Sequence, residues 1–320
     1  MSEVNARPPD GAASESDRGG RTRIVSTDLL MLFTVLIWGI NFTAVKLAVT
    51  AMPPLAFNAA RFALSTLMTF AVLWWQSAAP GEPRSFRLPR RDAGRLILLG
   101  LAGHGIYQVL FANGLARTAP GNASLIMATS PIWVAVLGYL LRVERVNRLM
   151  ALGIAISFAG IALLVTSGGK VRLDSGNLAG DFMILGCAVL WAVYTTASKP
   201  LLAHYSPLEL TAWTMLAGTV PLVLVSMPQI QSQDWSAVSP LMWGALIYSA
   251  VFAVTVGYVL WTRSVQRVGN ARTAVYSNLT PIIAILFAWV TLGDRLAPLQ
   301  LLGGLIVLVG LVVTRRGRAR

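Results

Sequence analysis

Residues 124–164 read SLIMATSPIWVAVLGYLLRVERVNRLMALGIAISFAGIALL, and residues 273–313 read TAVYSNLTPIIAILFAWVTLGDRLAPLQLLGGLIVLVGLVV. The two stretches share a proline, an acidic residue followed by arginine, and a pair of glycines, and these matching residues lie 150 positions apart. The pairs are Pro131 and Pro281, Glu144 and Asp294, Arg145 and Arg295, Gly153 and Gly303, and Gly160 and Gly310. The start of each half repeats at an offset of 153, which pairs Asp28 with Asp181, Trp38 with Trp191, Lys46 with Lys199 and Pro54 with Pro207. The chain therefore consists of two copies of one unit.

The composition is that of an integral membrane protein. Apolar residues make up 55% of the chain and charged residues only 12%, whereas a soluble domain carries about 25% charged residues. The apolar residues form runs long enough to cross a bilayer, for which about 20 residues suffice. The ten predicted spans, five in each half, are 28–50, 54–75, 95–116, 121–142, 148–167, 179–200, 207–228, 239–263, 270–292 and 298–314.

The distribution of basic residues predicts how these spans are oriented. With the N-terminus inside, twenty of the 26 Lys and Arg residues fall on the cytoplasmic side and five on the outside, so both termini are expected to be cytoplasmic. Because each unit holds an odd number of spans, the second copy must enter the membrane from the opposite face. The predicted fold is all-α, with ten transmembrane helices arranged as two inverted five-helix repeats around a central cavity, an architecture typical of secondary transporters.

The domain organisation follows from these patterns. Residues 1–25 are polar and rich in Gly, Ser and Pro and are expected to be a disordered cytoplasmic tail, followed by the repeats at 26–168 and 169–314 and a basic cytoplasmic C-terminus at 315–320. The net charge of +13 does not indicate a nucleic-acid surface, because the arginines lie in the gaps between apolar runs. The single cysteine, Cys187, lies inside an apolar run, which predicts a buried thiol and no disulfide framework.

The repeated stretches resemble the drug/metabolite transporter superfamily, in particular its ten-helix branch with two EamA-type repeats. The resemblance rests on LIWGINFTAVKLAV (36–49), VLWAVYTTASKPLL (189–202) and the two stretches quoted first, and it covers nearly all of residues 28 to 314. The chain departs from the family pattern Gly-Glu at Val143-Glu144 and Gly293-Asp294. The resemblance implies an exporter, most similar to the bacterial exporters of aromatic and other neutral amino acids.

Polar and aromatic side chains at helical spacing inside the spans are the candidates for a substrate site, because polar groups are costly in a bilayer. The predicted substrate-binding residues are Trp38, Asn41, His104, Tyr107, Gln108, Trp191, Tyr194, Tyr258 and Asn278. A lining of this kind suits a neutral or zwitterionic molecule with an apolar side chain. Lipid-interface anchoring and interhelical hydrogen bonds would explain the same residues, so both alternatives stay open.

The transport mechanism is predicted from what the spans lack. No carboxylate lies in the middle of a span, so the acidic relay of a coupled pump is missing, and no Walker motif supplies an ATPase. ATP-independent alternating access, by uncoupled facilitated diffusion, is therefore the first hypothesis. The alternative is a proton-coupled drug or metabolite exporter in which His104 titrates.

Other function classes are disfavoured by the sequence. An intramembrane enzyme is a remote alternative, since no catalytic constellation is visible, and the inverted repeat disfavours a pore or a scaffold. No catalytic residue, metal site or cofactor is expected. The expected partners are the small-molecule substrate and the lipid bilayer.

Two prolines and one arginine inside the spans have two interpretations each. Pro131 and Pro281 are predicted to interrupt a backbone hydrogen bond and bend their helices, either as matched gating hinges or as static kinks. Arg61, about two turns inside the outer end of the second span, either meets a substrate carboxylate or pairs with helix carbonyls or lipid headgroups.

The repeated charged residues are expected to have structural roles. Glu144 and Asp294 are predicted to cap helix corners or to pair with nearby arginines. Lys46 and Lys199 are expected to extend to the membrane interface.

Overall fold

The computed structural model describes residues 27–41, 44–45, 48, 51–77, 91–115, 117, 123, 126–167, 178–283, 286–287 and 298–317. These residues are largely helical and include no strand. Their main helices, numbered here in chain order, are α1 (Thr27–Asn41), α2 (Pro54–Ser77), α3 (Ala93–Leu115), α4 (Ser130–Leu140), α5 (Arg148–Thr166), α6 (Leu178–Leu201), α7 (Pro207–Ser232), α8 (Pro240–Val268), α9 (Asn270–Tyr276) and α10 (Pro298–Arg316).

The predicted membrane fold is confirmed. Within the described ranges, α2, α3, α6, α7, α8 and α10 are long and apolar enough to cross a bilayer, while α1, α4 and α5 contribute shorter apolar stretches. Helix α7 continues past Pro221 and Pro228 to Ser232, four residues beyond its predicted end. Prolines inside a helix are tolerated in membrane proteins because neighbouring helices satisfy the freed backbone groups.

The packing of α5 against α10 displays the inverted repeat. A methyl group added to Gly160 would lie 2.8 Å from the carbonyl oxygen of Gly303, and one added to Gly303 would lie 2.8 Å from the carbonyl oxygen of Gly160. Gly153 and Gly310 approach each other in the same way. Since Gly153 is the repeat mate of Gly303, and Gly160 of Gly310, each contact is the image of the other. This antiparallel reciprocity requires a two-fold axis across the helices, as in an inverted repeat.

A second pair of repeat mates meets on the same axis. The hydroxyl groups of Thr66 in α2 and Thr219 in α7 lie 2.9 Å apart, and the two residues are 153 positions apart in the sequence. The halves therefore interlock through α2 and α7 as well as through α5 and α10.

The helices are interrupted just before the repeated prolines. Pro131 lies in the first turn of α4, which begins at Ser130. In the second half, α9 is followed by a 3-10 turn at Ser277–Leu279, and helical geometry resumes at Thr280, one residue before Pro281. The expectation that these prolines bend continuous helices is therefore corrected: each proline lies in the first turn of a helical segment, where proline is favoured because its missing N–H group leaves no helical hydrogen bond unmade.

Two π-helical turns form another symmetric feature. Helix α3 contains one at Leu101–Ile106 and α8 contains one at Ser249–Val256. A π turn inserts a residue into the helical register and is frequent at functional sites. The side chains that follow these turns are therefore rotated about the helix axis relative to their positions in a regular α-helix.

One end of the bundle, here called the terminal face, is where α1 begins and α10 ends. Asp28 at the start of α1 accepts a hydrogen bond from the Tyr276 hydroxyl and forms an ion pair with Arg315. In the α6–α7 loop, the Tyr205 hydroxyl donates to Asp92 at 2.9 Å. The pKa of Tyr205 is raised to about 12, mainly because the phenol is partly removed from water and secondly because it donates this hydrogen bond to Asp92.

Glu144, between α4 and α5, joins the two halves at the terminal face. Its buried carboxylate accepts a hydrogen bond from Lys199 Nζ at 3.2 Å and one from the backbone N–H of Asn270 at 2.6 Å. The second bond satisfies an N–H group at the start of α9, which a negative charge stabilises. Gly269, with φ of +95°, allows this approach, since a side chain there would lie 2.9 Å from Glu144 Oε1.

This contact corrects two expectations. The ion-pair partner of Glu144 is Lys199 rather than an arginine, and Lys199 therefore does not simply extend to the membrane interface. Their repeat mates Asp294 and Lys46 lie outside the described residues. The buried position predicted for Cys187 is confirmed.

Candidate functional site

A cavity of about 190 Å³ lies between the two halves. The first half contributes Trp38, Asn41, Val45, Arg61, Tyr107, Gln108, Phe111, Leu115, Met127, Ala128 and Ser130. The second half contributes Trp191, Ala253, Val254, Tyr258, Ser277, Thr280 and Pro281. Most of these side chains are apolar or aromatic, and a few polar groups stand among them, as in small-molecule binding sites.

Aromatic rings from α1, α6 and α8 form one wall of the cavity. The repeat mates Trp38 and Trp191 meet edge to face with ring centroids 5.8 Å apart, and Tyr258 packs 5.5 Å from Trp191. Trp38 donates its indole N–H to the carbonyl oxygen of Ala253 at 2.9 Å. Its ring lies against bare backbone at Gly257, where an added methyl would be 2.6 Å from Trp38 Nε1. These contacts hold the Trp38 ring in one orientation, which presents a preformed apolar surface to a ligand.

A second pair of repeat mates carries the polar part of the lining. Gln108 follows the π turn of α3, and Tyr258 follows that of α8, 150 positions later. The Gln108 amide donates to the Tyr258 hydroxyl at 3.4 Å, and Gln108 Oε1 accepts a hydrogen bond from Arg61 Nη2 at 3.1 Å. The three side chains thus form one hydrogen-bonded chain along the cavity.

Arg61 of α2 is the one charged residue among the described residues of the lining. Its side chain is 4% exposed, and Nη1 donates to Ser249 Oγ at 3.0 Å. The guanidinium carbon lies 5.4 Å from the ring centroid of Phe62 and 5.5 Å from that of Phe57. Of the two interpretations of Arg61, pairing with helix carbonyls or headgroups is therefore not what the described structure shows, since its hydrogen-bond partners are two neutral side chains.

Six of the nine predicted substrate-binding residues line the cavity: Trp38, Asn41, Tyr107, Gln108, Trp191 and Tyr258. The other three lie outside the lining. His104 is fully buried behind it, 3.3 Å from the Thr214 hydroxyl and packed on the rings of Tyr194 and Tyr258. Asn278 donates to Ser157 Oγ of α5 at 3.0 Å. For these residues the structure shows interhelical contacts, the alternative that the sequence left open.

The helix interruptions border the cavity on both sides of the axis. Met127, Ala128 and Ser130 precede or begin α4, and Ser277, Thr280 and Pro281 occupy the matching place after α9. The sequence indicated this turn through Asn278, although Ser277 and Thr280 are the residues of that turn that face the cavity. Helices broken at a midplane site are a recurring feature of secondary transporters.

Some polar atoms of the lining have no hydrogen-bond partner in the described structure. They are Asn41 Oδ1, Arg61 Nε and Thr280 Oγ1, and all three are buried. Buried polar atoms are nearly always satisfied in proteins. Their open hydrogen-bonding capacity inside a cavity is available to a polar ligand.

Comparison with known proteins gives similarity along nearly the whole chain. A Bacillus subtilis protein named "Uncharacterized transporter YyaM" is 27% identical over 91% of this chain and 94% of its own. A protein of Streptantibioticus cattleyicolor named "Probable terminal-alkyne amino-acid exporter" is 29% identical over 91% and 94%. A Salmonella typhimurium protein named "Probable amino-acid metabolite efflux pump" is 27% identical over 89% and 93%.

A solved crystal structure shares the fold. It superimposes with a TM-score of 0.75 at 19% sequence identity and covers 90% of this chain and 96% of its own. The model of the EamA-like transporter family matches the chain twice, at residues 25–166 and 178–316, which are the two repeats. The chain therefore belongs to the EamA-like transporter family and is a multi-pass membrane transporter.

Proposed function

We propose that the protein exports neutral, chiefly aromatic, amino acids and related small metabolites across the bacterial inner membrane. Transport proceeds by alternating access and without ATP, and both chain termini face the cytoplasm. The observation that carries this proposal is the cavity between the inverted halves, lined by aromatic rings and amides with one cation among its described residues. Substrate sites of inverted-repeat transporters lie at such a place.

The chemistry of the cavity supports an amino acid as the substrate. The rings of Trp38, Trp191 and Tyr258 offer apolar area to a side chain, and the unpartnered Oδ1 of Asn41 is an acceptor for an ammonium group. One relative is named a probable terminal-alkyne amino-acid exporter and another a probable amino-acid metabolite efflux pump, and both names support this choice.

The described lining favours uncoupled transport over proton coupling. It contains no carboxylate, and His104 is buried behind the cavity wall with Thr214 as its hydrogen-bonding neighbour. A carrier without a titrating group in its path moves the substrate down its own gradient. A pH gradient should therefore leave exchange unchanged.

The terminal face supports a conformation closed on that side. Glu144, Lys199 and the start of α9 are tied together there, and so are Asp28 and Arg315. The interruptions before Pro131 and Pro281 lie at the cavity, where a small change in backbone angles would swing the adjoining helical segment. The two prolines are therefore proposed to mark the gating hinges.

Counterflow in proteoliposomes tests the proposal. Vesicles preloaded with unlabelled phenylalanine should accumulate labelled phenylalanine, tryptophan or methionine with saturation, equally with and without a pH gradient, and should exclude labelled glutamate and lysine. Absence of saturable exchange of any neutral amino acid would overturn the substrate assignment, and stimulation by a proton gradient would overturn uncoupled transport.

Substitution of Trp191 links this exchange to the cavity. Trp191→Phe keeps a ring and should reduce exchange only moderately, whereas Trp191→Ala should lower the apparent affinity about tenfold, since a well-packed aromatic contact contributes roughly 1–3 kcal/mol. Trp243→Ala, at an exposed tryptophan near the start of α8, is the matched control and should exchange normally.

A further inference from the structure

Arg61 is a buried cation for which the described protein supplies no counter-ion. Its side chain is 4% exposed, its hydrogen-bond partners at 3.0 and 3.1 Å are the neutral Ser249 and Gln108, and its Nε has no partner. The described acidic residues stand at helix ends or in loops, as Asp28, Asp92, Glu144, Asp181, Glu209 and Asp234 do. A charge taken out of water without an opposite charge is costly. The free-energy cost of burying Arg61 therefore indicates that its charge has a function.

The inverted repeat shows that packing alone does not require this arginine. The repeat mate of Arg61, 153 positions later, is Thr214 of α7. Thr214 occupies the equivalent position and interacts with His104 through its hydroxyl group. The same helix contact is therefore built without a charge in the second half. At this repeated position, the side chain of the first half lines the cavity and is a cation, whereas the side chain of the second half does neither.

The guanidinium is held in a defined orientation at the cavity. Gln108 fixes Nη2, Ser249 fixes Nη1, and the rings of Phe57 and Phe62 flank the group. An arginine fixed in this way is suited to a planar anion, because its N–H groups match the two oxygens of a carboxylate. A low-dielectric cavity strengthens that pairing.

We propose that Arg61 is the binding site for the carboxylate of the substrate, so that the transported class consists of molecules with a carboxylate attached to an apolar or aromatic body. This inference rests on the proposed function for its choice of an amino acid, but the site itself requires only the carboxylate. Arg61 neutralises the anion, and the aromatic wall takes the remainder of the molecule.

Four ligands with the same phenyl ring separate the two groups of the amino acid. L-phenylalanine carries both the carboxylate and the amine, 3-phenylpropionate carries only the carboxylate, and L-phenylalaninamide and phenethylamine carry only the amine. Binding is measured by titration calorimetry on the full-length protein in detergent, and the same compounds are tested as inhibitors of phenylalanine exchange. The native protein should bind both carboxylates at least about tenfold more tightly than both amines, as expected for a charge-assisted pair.

Three variants test the role of the residue. Arg61→Gln should weaken binding of both carboxylates about tenfold or more and abolish the preference over the amide, while Arg61→Lys should keep part of it. Arg263→Gln removes an exposed arginine of α8 and should behave like the native protein. Without ligand, Arg61→Gln should unfold at the same or a higher temperature, because it removes an unpaired buried charge. A purely structural arginine would lower that temperature and leave the selectivity unchanged.

The outcomes distinguish this inference from the proposed function. Equal binding of phenylalanine and its amide by the native protein, or unchanged selectivity in Arg61→Gln, overturns the carboxylate site while amino-acid exchange can stand. Binding of 3-phenylpropionate that depends on Arg61, without phenylalanine exchange, supports the site and overturns the amino-acid assignment. Failure of all four ligands to bind overturns both.

Discussion

At the scale of single residues, Gln108 connects the guanidinium of Arg61 in the first half to Tyr258 in the second half. It accepts a hydrogen bond from Arg61 with one atom and donates to its own repeat mate Tyr258 with the other. An amide can do both at once, because it has an acceptor oxygen and two donor hydrogens. Gln108 therefore positions the guanidinium for a ligand in the cavity.

Replacing Gln108 should affect substrate affinity more than the rate of transport. Gln108→Leu removes the acceptor for Arg61, so the KM for phenylalanine exchange should rise roughly tenfold, the value of one hydrogen bond to a charged group. Tyr258→Phe keeps the ring and removes only the weak bond at 3.4 Å, so its KM should change less than about twofold. Equal KM values for the two variants would contradict the positioning role.

At the scale of elements, the contact between α5 and α10 depends on glycines that allow backbone to touch backbone. The obstacle to a side chain at Gly160 is the carbonyl oxygen of Gly303 and the backbone nitrogen of Val307, which lies 2.7 Å from the added methyl. Neither atom belongs to a flexible side chain that could move aside. Small residues at helix crossings are the usual means of close packing in membranes.

Gly160→Ala should therefore destabilise the protein by about 1–3 kcal/mol, the usual cost of overpacking. The measurement is thermal unfolding in detergent, where the variant should unfold at a clearly lower temperature than the native protein. Gly94→Ala is the matched control, because nothing lies within 4 Å of the added methyl group. Alanine favours a helix over glycine, so the control should be unchanged or slightly more stable. Equal unfolding temperatures for both variants would rule out the tight crossing.

At the scale of the whole molecule, carboxylates of the first half hold the two halves together at the terminal face, and Glu144 makes two of these contacts. Glu144 belongs to the first half, and both of its partners, Lys199 and the start of α9, belong to the second. Helix α9 in turn leads to the interruption at the cavity. Loss of this contact should therefore loosen the terminal face and the helical segment that borders the substrate site.

Hydrogen exchange of α9 measures this effect. Glu144→Gln keeps the shape of the side chain but removes its charge, so the amides of Asn270–Tyr276 should exchange faster, by about tenfold for a loss of roughly 1–2 kcal/mol. Glu209→Gln removes a carboxylate that caps α7 in a capping box with Ser206. This control should speed exchange at the start of α7 and leave α9 unchanged. Equal amide exchange rates of α9 in Glu144→Gln and in the native protein would show that the Glu144 contact does not stabilise this helix.

Much of this architecture was predictable from the sequence, and some of the site was not. The spans, the repeat and most of the cavity residues on α1, α3, α6 and α8 follow from apolar runs and matched residues. His104 and Asn278 were predicted to face the substrate because regular helical spacing places them beside Gln108 and Pro281. The π turn at Leu101–Ile106 and the 3-10 turn at Ser277–Leu279 break that regular spacing, so both side chains face other helices instead.

The sequence by itself determined that this is a two-fold, ten-helix membrane transporter, because hydrophobic length, proline, glycine and charge placement are local signals that a bilayer converts directly into spans. Only the tertiary structure decided which polar groups meet. Arg61 donates hydrogen bonds to Gln108 and Ser249, which are separated from it by 47 and 188 positions in the sequence. Glu144 accepts one from Asn270, at a separation of 126 positions. Such contacts depend on helix rotation and on the two-fold packing of the halves, which are properties of the assembled bundle rather than of any one segment.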